Sequence, residues 1–329
     1  MVMVPNERHN KRHSFIVTIL SIVSFFIPIQ SHSQEKLVEF GDFEEWIVRD
    51  IKESRIVGGN VERIYAVGPT DTMIGNTSLS PDVTIWGSSN AFAKIIGVIK
   101  TSMSVQPEDG PSGRCARLQT CYAECKALGI INIKVLAGGS LFWGYTLEPI
   151  SNPYEPYKNI VWGIPFTEKP QALIVDYKSV ISTDNIITRC TPFTHSTYEG
   201  KDSAEILLFL QHRWEDEDGN IYAKRVGTSM YYIEESTDGW IFNHRMPIIY
   251  GDATQSADYK PYMDLRDKDD PKVFYYLNKN GDNVPVEEIG WAEEDELPTH
   301  AVLTITSGGK GAYEGAIGNI LWVDNVRLE

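Results

Sequence analysis

Apolar residues in this chain alternate with polar ones or form short blocks, and Gly, Pro, Asn and Asp bound these blocks. A period of two is typical of a β-strand that buries one face, whereas a helix needs apolar residues three to four positions apart. The pattern therefore predicts strands throughout the chain after residue 33. The predicted strands are Ala91–Ser104, Gly129–Leu136, Ala172–Val180, Glu205–Trp214, Tyr222–Glu234, Trp240–Pro247, Ala301–Thr306 and Ile320–Leu328.

One hairpin is clearly marked between the strands that end at Trp214 and start at Tyr222. Its turn, Glu215–Asn220, contains an Asp-Gly pair, which supplies the positive φ that tight turns need. The turn lacks the bidentate Glu that ends an EF-hand calcium loop, so we interpret it as a solvated tip. The acidic stretch Asp252–Pro298 is interpreted as an ordered surface excursion, because Val273–Leu277 is able to form one more strand.

Many short strands, few helices and regular turns indicate an all-β sandwich or barrel. A chain of this length can bury one large core. A jelly-roll or galactose-binding-like β-sandwich of two antiparallel sheets fits both observations. We predict one such domain over residues 34–329.

The first 33 residues have a different character. Basic residues at positions 8–12 precede an apolar run, Phe15–Ile29, and Ser31–Ser33 places small residues at both flanks of a cleavage position. These are the three parts of a secretory signal peptide. The apolar run is short for a membrane span of about 20 residues. We expect cleavage after residue 33 and a secreted protein, in the periplasm or at the cell surface, without a transmembrane segment.

After that cleavage the chain carries 27 Lys or Arg and 44 Asp or Glu residues, a net charge of −17. Such a charge repels phosphate backbones and anionic lipid, so nucleic acid is not an expected partner. A neutral polysaccharide or oligosaccharide is compatible with it. In an exported protein the remaining cysteines are compatible with disulfides, and all three complete pairings stay open. These cysteines are Cys115, Cys121, Cys125 and Cys190.

Several strings, in order along nearly the whole chain after residue 33, resemble the bacterial putative carbohydrate metabolism domain family. They are Phe40–Trp46, Gly138–Gly144, Asn152–Pro153, Gly163–Pro170, Val175–Lys178, Leu297–His300, Thr306–Gly309 and Gly315–Leu328. The resemblance implies a secreted β-sandwich, related in shape to carbohydrate-binding jelly rolls, that takes part in bacterial glycan use. It names neither a sugar nor a reaction. The lipoprotein Cys and the preceding Ig-like module of many relatives are not visible here, and no catalytic motif transfers.

Sugar binding combines aromatic rings, which stack on the C–H faces of the sugar, with planar polar groups that bind its hydroxyls. The alternative is that the aromatic residues of this chain are ordinary core or rim residues of a large sandwich. The candidate sugar-binding residues are Trp86, Asn90, Trp143, Trp162, Tyr177 and Trp240.

Carbohydrate-binding jelly rolls often hold a structural calcium between a Phe-Glu pair on the first strand and an Asp on the last. Glu44 and Asp324 match these positions. Calcium takes six to eight oxygens, so backbone carbonyls would have to complete the shell. The alternative is two solvated carboxylates on adjoining strands. We expect no required cofactor.

A glycoside hydrolase needs two carboxylates, about 5 Å apart for retention and farther for inversion. Asp176 and Glu205 each lie in an apolar strand and are the candidate acids, although each can also point to solvent. The Glu-x-Asp-x-x-Glu string of laminarinase-type jelly rolls is absent from the predicted strands. We therefore predict a non-enzymatic carbohydrate-binding protein. The second hypothesis is a glycoside hydrolase, and the third is a structural or adhesive surface protein.

Overall fold

This computed structural model describes residues 1–3, 35–127 and 131–329. The predicted signal peptide, apart from its first three residues, and the start of the predicted strand at Gly129 lie outside this part. The described residues from 35 onward form one compact unit. Within the described ranges the chain has strands and short 3-10 turns but no α-helix, and no helix there is long and apolar enough to cross a membrane.

The strands are β1 (Lys36–Leu37), β2 (Trp46–Lys52), β3 (Val61–Val67), β4 (Asp71–Ile74), β5 (Trp86–Ser88), β6 (Ala91–Ile95), β7 (Val98–Ser102), β8 (Val105–Asp109), β9 (Arg114–Gln119), β10 (Cys121–Ala127), β11 (Ile131–Ala137), β12 (Ser140–Thr146) and β13 (Ile160–Trp162). They continue as β14 (Ile164–Pro165), β15 (Ala172–Val180), β16 (Ile186–Cys190), β17 (His195–Glu199), β18 (Ala204–Glu215), β19 (Ile221–Ile233), β20 (Ile241–Pro247), β21 (Ile249–Tyr250), β22 (Tyr275–Leu277), β23 (Asn283–Trp291), β24 (His300–Thr306), β25 (Glu314–Gly315) and β26 (Ile320–Leu328). The 3-10 turns are Arg55–Val57, Pro156–Asn159, Ala253–Gln255 and Pro261–Met263.

Two large sheets form the body of the domain. The ten-stranded sheet has the order β13-β12-β24-β18-β19-β23-β22, with β14 beside β24, β21 beside β19 and β5 beside β12. The six-stranded sheet has the order β20-β15-β26-β9-β8, with β1 beside β26. Smaller sheets pair β10 with β11, β6 with β7, β16 with β17 and β25, and β2 with β3 and β4.

Alternate side chains of the two large sheets share one core. Ile206 and Leu208 of β18 and Leu303 of β24 meet Leu321 and Val323 of β26 there, and all five are fully buried. Two layers with a common interior are the packing of a β-sandwich. The predicted all-β sandwich is confirmed. Within the large sheets the exception to antiparallel pairing is β19 with β23, which run parallel.

The outer face of the ten-stranded sheet carries a second apolar cluster, which includes Phe142, Leu207, Phe209 and Val302. Strand β18 is therefore buried on both faces. This explains why Ile206–Leu210 is a continuous apolar run instead of an alternating one.

Three local features differ from the simple strand prediction. The segment predicted as one strand, Ala91–Ser104, is the hairpin β6-β7, because Ile96 and Gly97 both have positive φ (48° and 78°) and form a two-residue turn. The acidic excursion does not stay at the surface alone, since β22 and β23 extend the ten-stranded sheet. In β26 the buried positions change phase at Asn325, whose φ of 52° accompanies a register shift against β15.

Candidate functional site

A cavity of about 280 Å³ lies on the outer face of the ten-stranded sheet. Strands β12, β24 and β18 form its floor, and the hairpins β6-β7 and β10-β11 form its roof. The segments 150–160 and 308–313 close the sides. Its volume is near the lower end of the roughly 300–1,000 Å³ of small-ligand sites.

The floor presents two rows of side chains, fixed by strand register. Their neighbours along the chain, such as Leu141, Ile206 and Ile305, point into the sandwich core, so these side chains must point outward. The first row is Ser140, Thr306 and Glu205, and the second row is Phe142, Thr304 and Leu207.

Two hydrogen-bonding groups of the cavity wall have no partner among the residues that the structure describes. They are the Thr304 hydroxyl and the Trp162 indole N–H, and both are buried. By contrast, the hydroxyl of Thr306 accepts from Ser140 Oγ at 2.8 Å. Buried polar groups are normally paired, so each of these two groups has the capacity for one hydrogen bond that the described residues do not use.

One charged pair belongs to the cavity. The Glu205 carboxylate is buried, and Lys272 Nζ lies 2.9 Å from its Oε2. The same ammonium donates to the carbonyl of Gly309 and lies 3.4 Å from the Tyr232 hydroxyl. Burial, followed by the charge of Glu205, raises the pKa of Tyr232, which keeps its hydroxyl protonated.

The side walls are held by specific contacts. Asp202 accepts hydrogen bonds from the backbone N–H groups of Gly309 (3.1 Å) and Ala316 (2.8 Å), which anchors the segment 308–313. The Tyr157 hydroxyl accepts from the N–H of Ala312 at 3.0 Å, and burial raises the pKa of Tyr157 to about 12. The wall is therefore built by interactions distant in sequence.

Three of the predicted sugar-binding residues are core residues. Trp86 and Trp143 pair in register, with ring centroids 6.4 Å apart, and both are almost completely buried. Tyr177 is also buried in the core shared by the two sheets. Rings enclosed in this way have no free face for a sugar, which agrees with the alternative interpretation of these aromatics.

Asn90 is a structural clamp. Its side-chain amide donates to the carbonyls of Tyr65 (2.8 Å) and Val105 (2.6 Å), and its oxygen accepts from the N–H groups of Ser104 and Val105. All its hydrogen-bonding capacity is used by backbone groups. Nothing is left for a ligand.

Trp162 and Trp240 remain predicted binding residues, but they lie at different places in the fold. Trp162 lines the cavity, where its ring packs on Phe142 at 4.8 Å. Trp240 is partly exposed just before β20, an edge strand of the six-stranded sheet, and stacks on Phe242. Only the first belongs to the site described here.

The two candidate acids lie on different sheets. Glu205 is on the outer face of the ten-stranded sheet, whereas Asp176 is on the outer face of the six-stranded sheet, since its neighbours Val175 and Tyr177 enter the core. Asp176 accepts hydrogen bonds from the N–H of Asn243 at 2.6 Å and from the amide of Asn325 at 3.0 Å. With the sandwich between them, the two carboxylates cannot flank one glycosidic bond.

Glu44 and Asp324 are close enough to interact electrostatically. Burial raises the pKa of Asp324 to about 7, and the charges of Asp176, Glu44 and Asp42 add to this effect. Glu44 is exposed and accepts from the N–H of Arg114 at 2.9 Å. The described residues contain no group of three or more side chains arranged for a metal, so calcium at this position stays a prediction that would depend on backbone oxygens.

All four cysteines are free thiols in this structure. Cys125 lines the cavity, and burial raises its pKa. The disulfides that the sequence allows are not formed.

Sequence reasoning missed most of the cavity. Thr304 and Thr306 alternate with core residues in β24, and this alternation could have placed their hydroxyls on one face. Lys272 and Arg266 lie in the acidic excursion, where nothing in the sequence indicates that they return to the sheet.

The fold and the cavity together define an all-β sandwich protein with a cavity of small-ligand size on the outer face of its larger sheet. The model of the family named putative carbohydrate metabolism domain matches residues 62–259, and the chain belongs to this family. The matched range contains Trp162 and Glu205 but ends before Thr304. No curated protein matches the chain significantly.

Three solved structures have some similarity to the chain. A putative glycoside hydrolase from Bacteroides thetaiotaomicron is 19% identical, with 86% of this chain and 70% of that chain covered and a TM-score of 0.46. A putative glycoside hydrolase from Bacteroides vulgatus is 13% identical, with 90% and 94% covered and a TM-score of 0.41. A carbohydrate-binding module specific for non-crystalline cellulose is 11% identical, with 74% and 88% covered and a TM-score of 0.26. These scores are too low to support a functional assignment.

Proposed function

We propose that this protein binds carbohydrate in the cavity between the ten-stranded sheet and its two covering hairpins. The observation that carries the proposal is the pair of buried, unpartnered groups, the Thr304 hydroxyl and the Trp162 N–H, on the wall of one cavity. Membership of a carbohydrate-related family supports the same class of ligand.

The wall offers the two kinds of contact that a sugar uses. Trp162, Phe142 and Phe274 supply aromatic surface, and the Thr304 hydroxyl and the Glu205–Lys272 pair supply polar groups. Ring C–H groups pack on aromatic surface while hydroxyls take the polar groups. The volume suits a short saccharide unit.

Calorimetric titration against a panel of oligosaccharides tests the proposal, with Thr304→Val as the variant. The substitution keeps the shape and removes the unpartnered hydroxyl, so we expect affinity to fall about three- to tenfold, the equivalent of one hydrogen bond. Thr197→Val, on the exposed strand β17, is the matched control and should leave affinity unchanged. Absence of binding across the panel, or equal affinity of Thr304→Val and the unmodified protein, contradicts the proposal.

A second candidate function is glycoside hydrolysis, favoured by the buried Glu205 carboxylate in the cavity. Glu124 also lines the cavity, and its ion pairs with Lys134 and Lys126 lower its pKa. If the protein is a hydrolase, new reducing ends should appear and Glu205→Gln should abolish them. Activity that survives Glu205→Gln excludes this residue as the acid.

We also propose that residues 1–33 direct export. The basic start, the apolar run and the small residues before position 34 support this. Sequencing the N-terminus of protein recovered from the periplasm or medium should give a start at Gln34. A recovered protein that begins at Met1 contradicts export by cleavage.

A further inference from the structure

The two walls of the cavity differ in chemistry. The floor carries hydroxyls, the Glu205–Lys272 pair and aromatic rings, whereas the roof is predominantly aliphatic. The hairpin β10-β11 turns a mainly apolar face to the cavity. In the hairpin β6-β7, the apolar residues of β6 lie beside Lys100, Thr101 and Ser102 of β7, which also line the cavity. The apolar roof residues are Ala91, Ala93 and Ile95 of β6, Ala123 and Cys125 of β10, and Ile133, Val135 and Ala137 of β11.

Strand pairing brings the apolar roof residues of β10 and β11 side by side. Ala123 is paired with Val135, and Cys125 is paired with Ile133. Ala93 of β6 also forms a bridge to Ile150, another cavity residue. The β10-β11 half of the roof therefore presents one continuous apolar patch, formed by Ala123, Cys125, Ile133 and Val135.

The charged groups of the roof are occupied by partners. Lys100 pairs with Glu53 at 2.8 Å, and Glu53 also accepts from the hydroxyl of Thr101. Glu124 pairs with Lys134 at 2.9 Å. A ligand hydroxyl placed against the apolar patch of β10 and β11 would lose its water without gaining a hydrogen bond, and such burial is unfavourable.

We infer that the ligand is a sugar that carries a short apolar substituent, specifically an O-acyl ester such as O-acetyl. The inference rests on the proposed function and narrows its ligand class. The sugar ring binds to the floor, where the Thr304 hydroxyl and the Trp162 N–H are free. The acyl methyl group packs under the hairpin β10-β11 against the cross-strand pair Ala123 and Val135. A sugar without such a substituent would place no apolar group against the roof.

One glycan panel printed in two forms tests this inference. The probes are O-acetylated xylan, glucomannan and pectin oligosaccharides, and the same oligosaccharides after mild alkaline removal of the esters. We expect the acetylated form of the bound glycan to bind about five- to tenfold more tightly, the effect of burying a methyl-sized apolar group. Equal or weaker binding of the acetylated form overturns this inference but leaves the proposed function intact. If neither form of any glycan on the panel binds, the inference and the proposed function are both overturned.

A roof variant gives an independent readout. Val135→Thr keeps the side-chain shape but replaces a methyl group by a hydroxyl, so it should weaken binding of the acetylated form much more than binding of the deacetylated form and thereby remove the preference. Thr304→Val should weaken both forms by the same factor. If Val135→Thr fails to fold, Ala123→Ser makes the same test on the cross-strand partner of Val135. A preference for acetylated sugar that survives the folded roof variant overturns the assignment of the acyl group to the roof.

Discussion

The buried ion pair between Arg225 and Glu288 allows a sharp test of how this sheet is stabilised. Both side chains are 0% exposed. The Glu288 carboxylate also accepts from the side-chain amide of Gln211 at 2.5 Å and from the N–H of Arg266 at 2.8 Å. Burial alone would raise the pKa of Glu288, but the Arg225 charge and these hydrogen bonds outweigh it and lower that pKa.

We expect Glu288→Gln to lower the free energy of unfolding by about 3–5 kcal/mol. The substitution leaves the Arg225 guanidinium buried without a counter-charge, and the new amide N–H groups face other donors. The guanidinium cannot easily turn toward water, because it lies over the Phe209 ring, 3.5 Å from its centroid. The loss of stability therefore comes from a buried charge without a counter-charge, and not from one missing contact.

Urea unfolding followed by tryptophan fluorescence measures this loss. The matched control is Glu168→Gln, whose pair with Lys36 is solvent-exposed and should be worth less than about 1 kcal/mol. Replacing both Arg225 and Glu288 by Met should cost less than Glu288→Gln, because hydrophobic residues can replace a buried pair when both charges are removed.

A loss below about 1 kcal/mol for Glu288→Gln would refute this reasoning, as would a double Met variant less stable than Glu288→Gln. The pH dependence has a defined sign. Because the folded-state pKa of Glu288 is lowered, its contribution is complete above the unfolded pKa of about 4.3 and is lost as pH falls through the lower folded pKa.

Three further predictions concern other parts of the domain. The folded-state pKa of Asp324 is about 7, against 3.8 for the free group. The free energy of unfolding of the unmodified protein, relative to that of Asp324→Asn, should therefore fall by about 1–2 kcal/mol as pH rises from 4 to 7. The same pH dependence of both proteins in urea unfolding would contradict this. A Cβ on Gly87 would lie 2.3 Å from the Phe142 ring, so Gly87→Ala should cost about 1–3 kcal/mol of unfolding free energy in the same assay, and an unchanged midpoint would exclude this close packing. Thiol titration in denaturant without reductant should count four free cysteines, and a lower count would mean that disulfides form in the isolated protein.

The period of two along the chain was sufficient to predict the fold class. Strands β15 and β26 have the predicted bounds, and β18 and β19 differ by one residue at either end. The Asp-Gly pair placed the turn between β18 and β19, with Gly219 at a φ of 85°. These features depend on local backbone preference and on the burial of one strand face. Both are determined by residues that are neighbours in the sequence.

The cavity depended on tertiary structure, because its walls come from segments distant in sequence. Glu205 contacts Lys272 only because the acidic excursion returns to the ten-stranded sheet. The Thr304 hydroxyl has no partner among the described residues because of the side chains that are packed around it. Residue type alone did not distinguish a core position from a binding position, since tryptophans such as Trp86 and Trp143 are equally suited to a core and to a sugar-binding surface. Which of these environments a side chain enters is decided by the packing of the sheets and hairpins, a non-local property that a single sequence does not display.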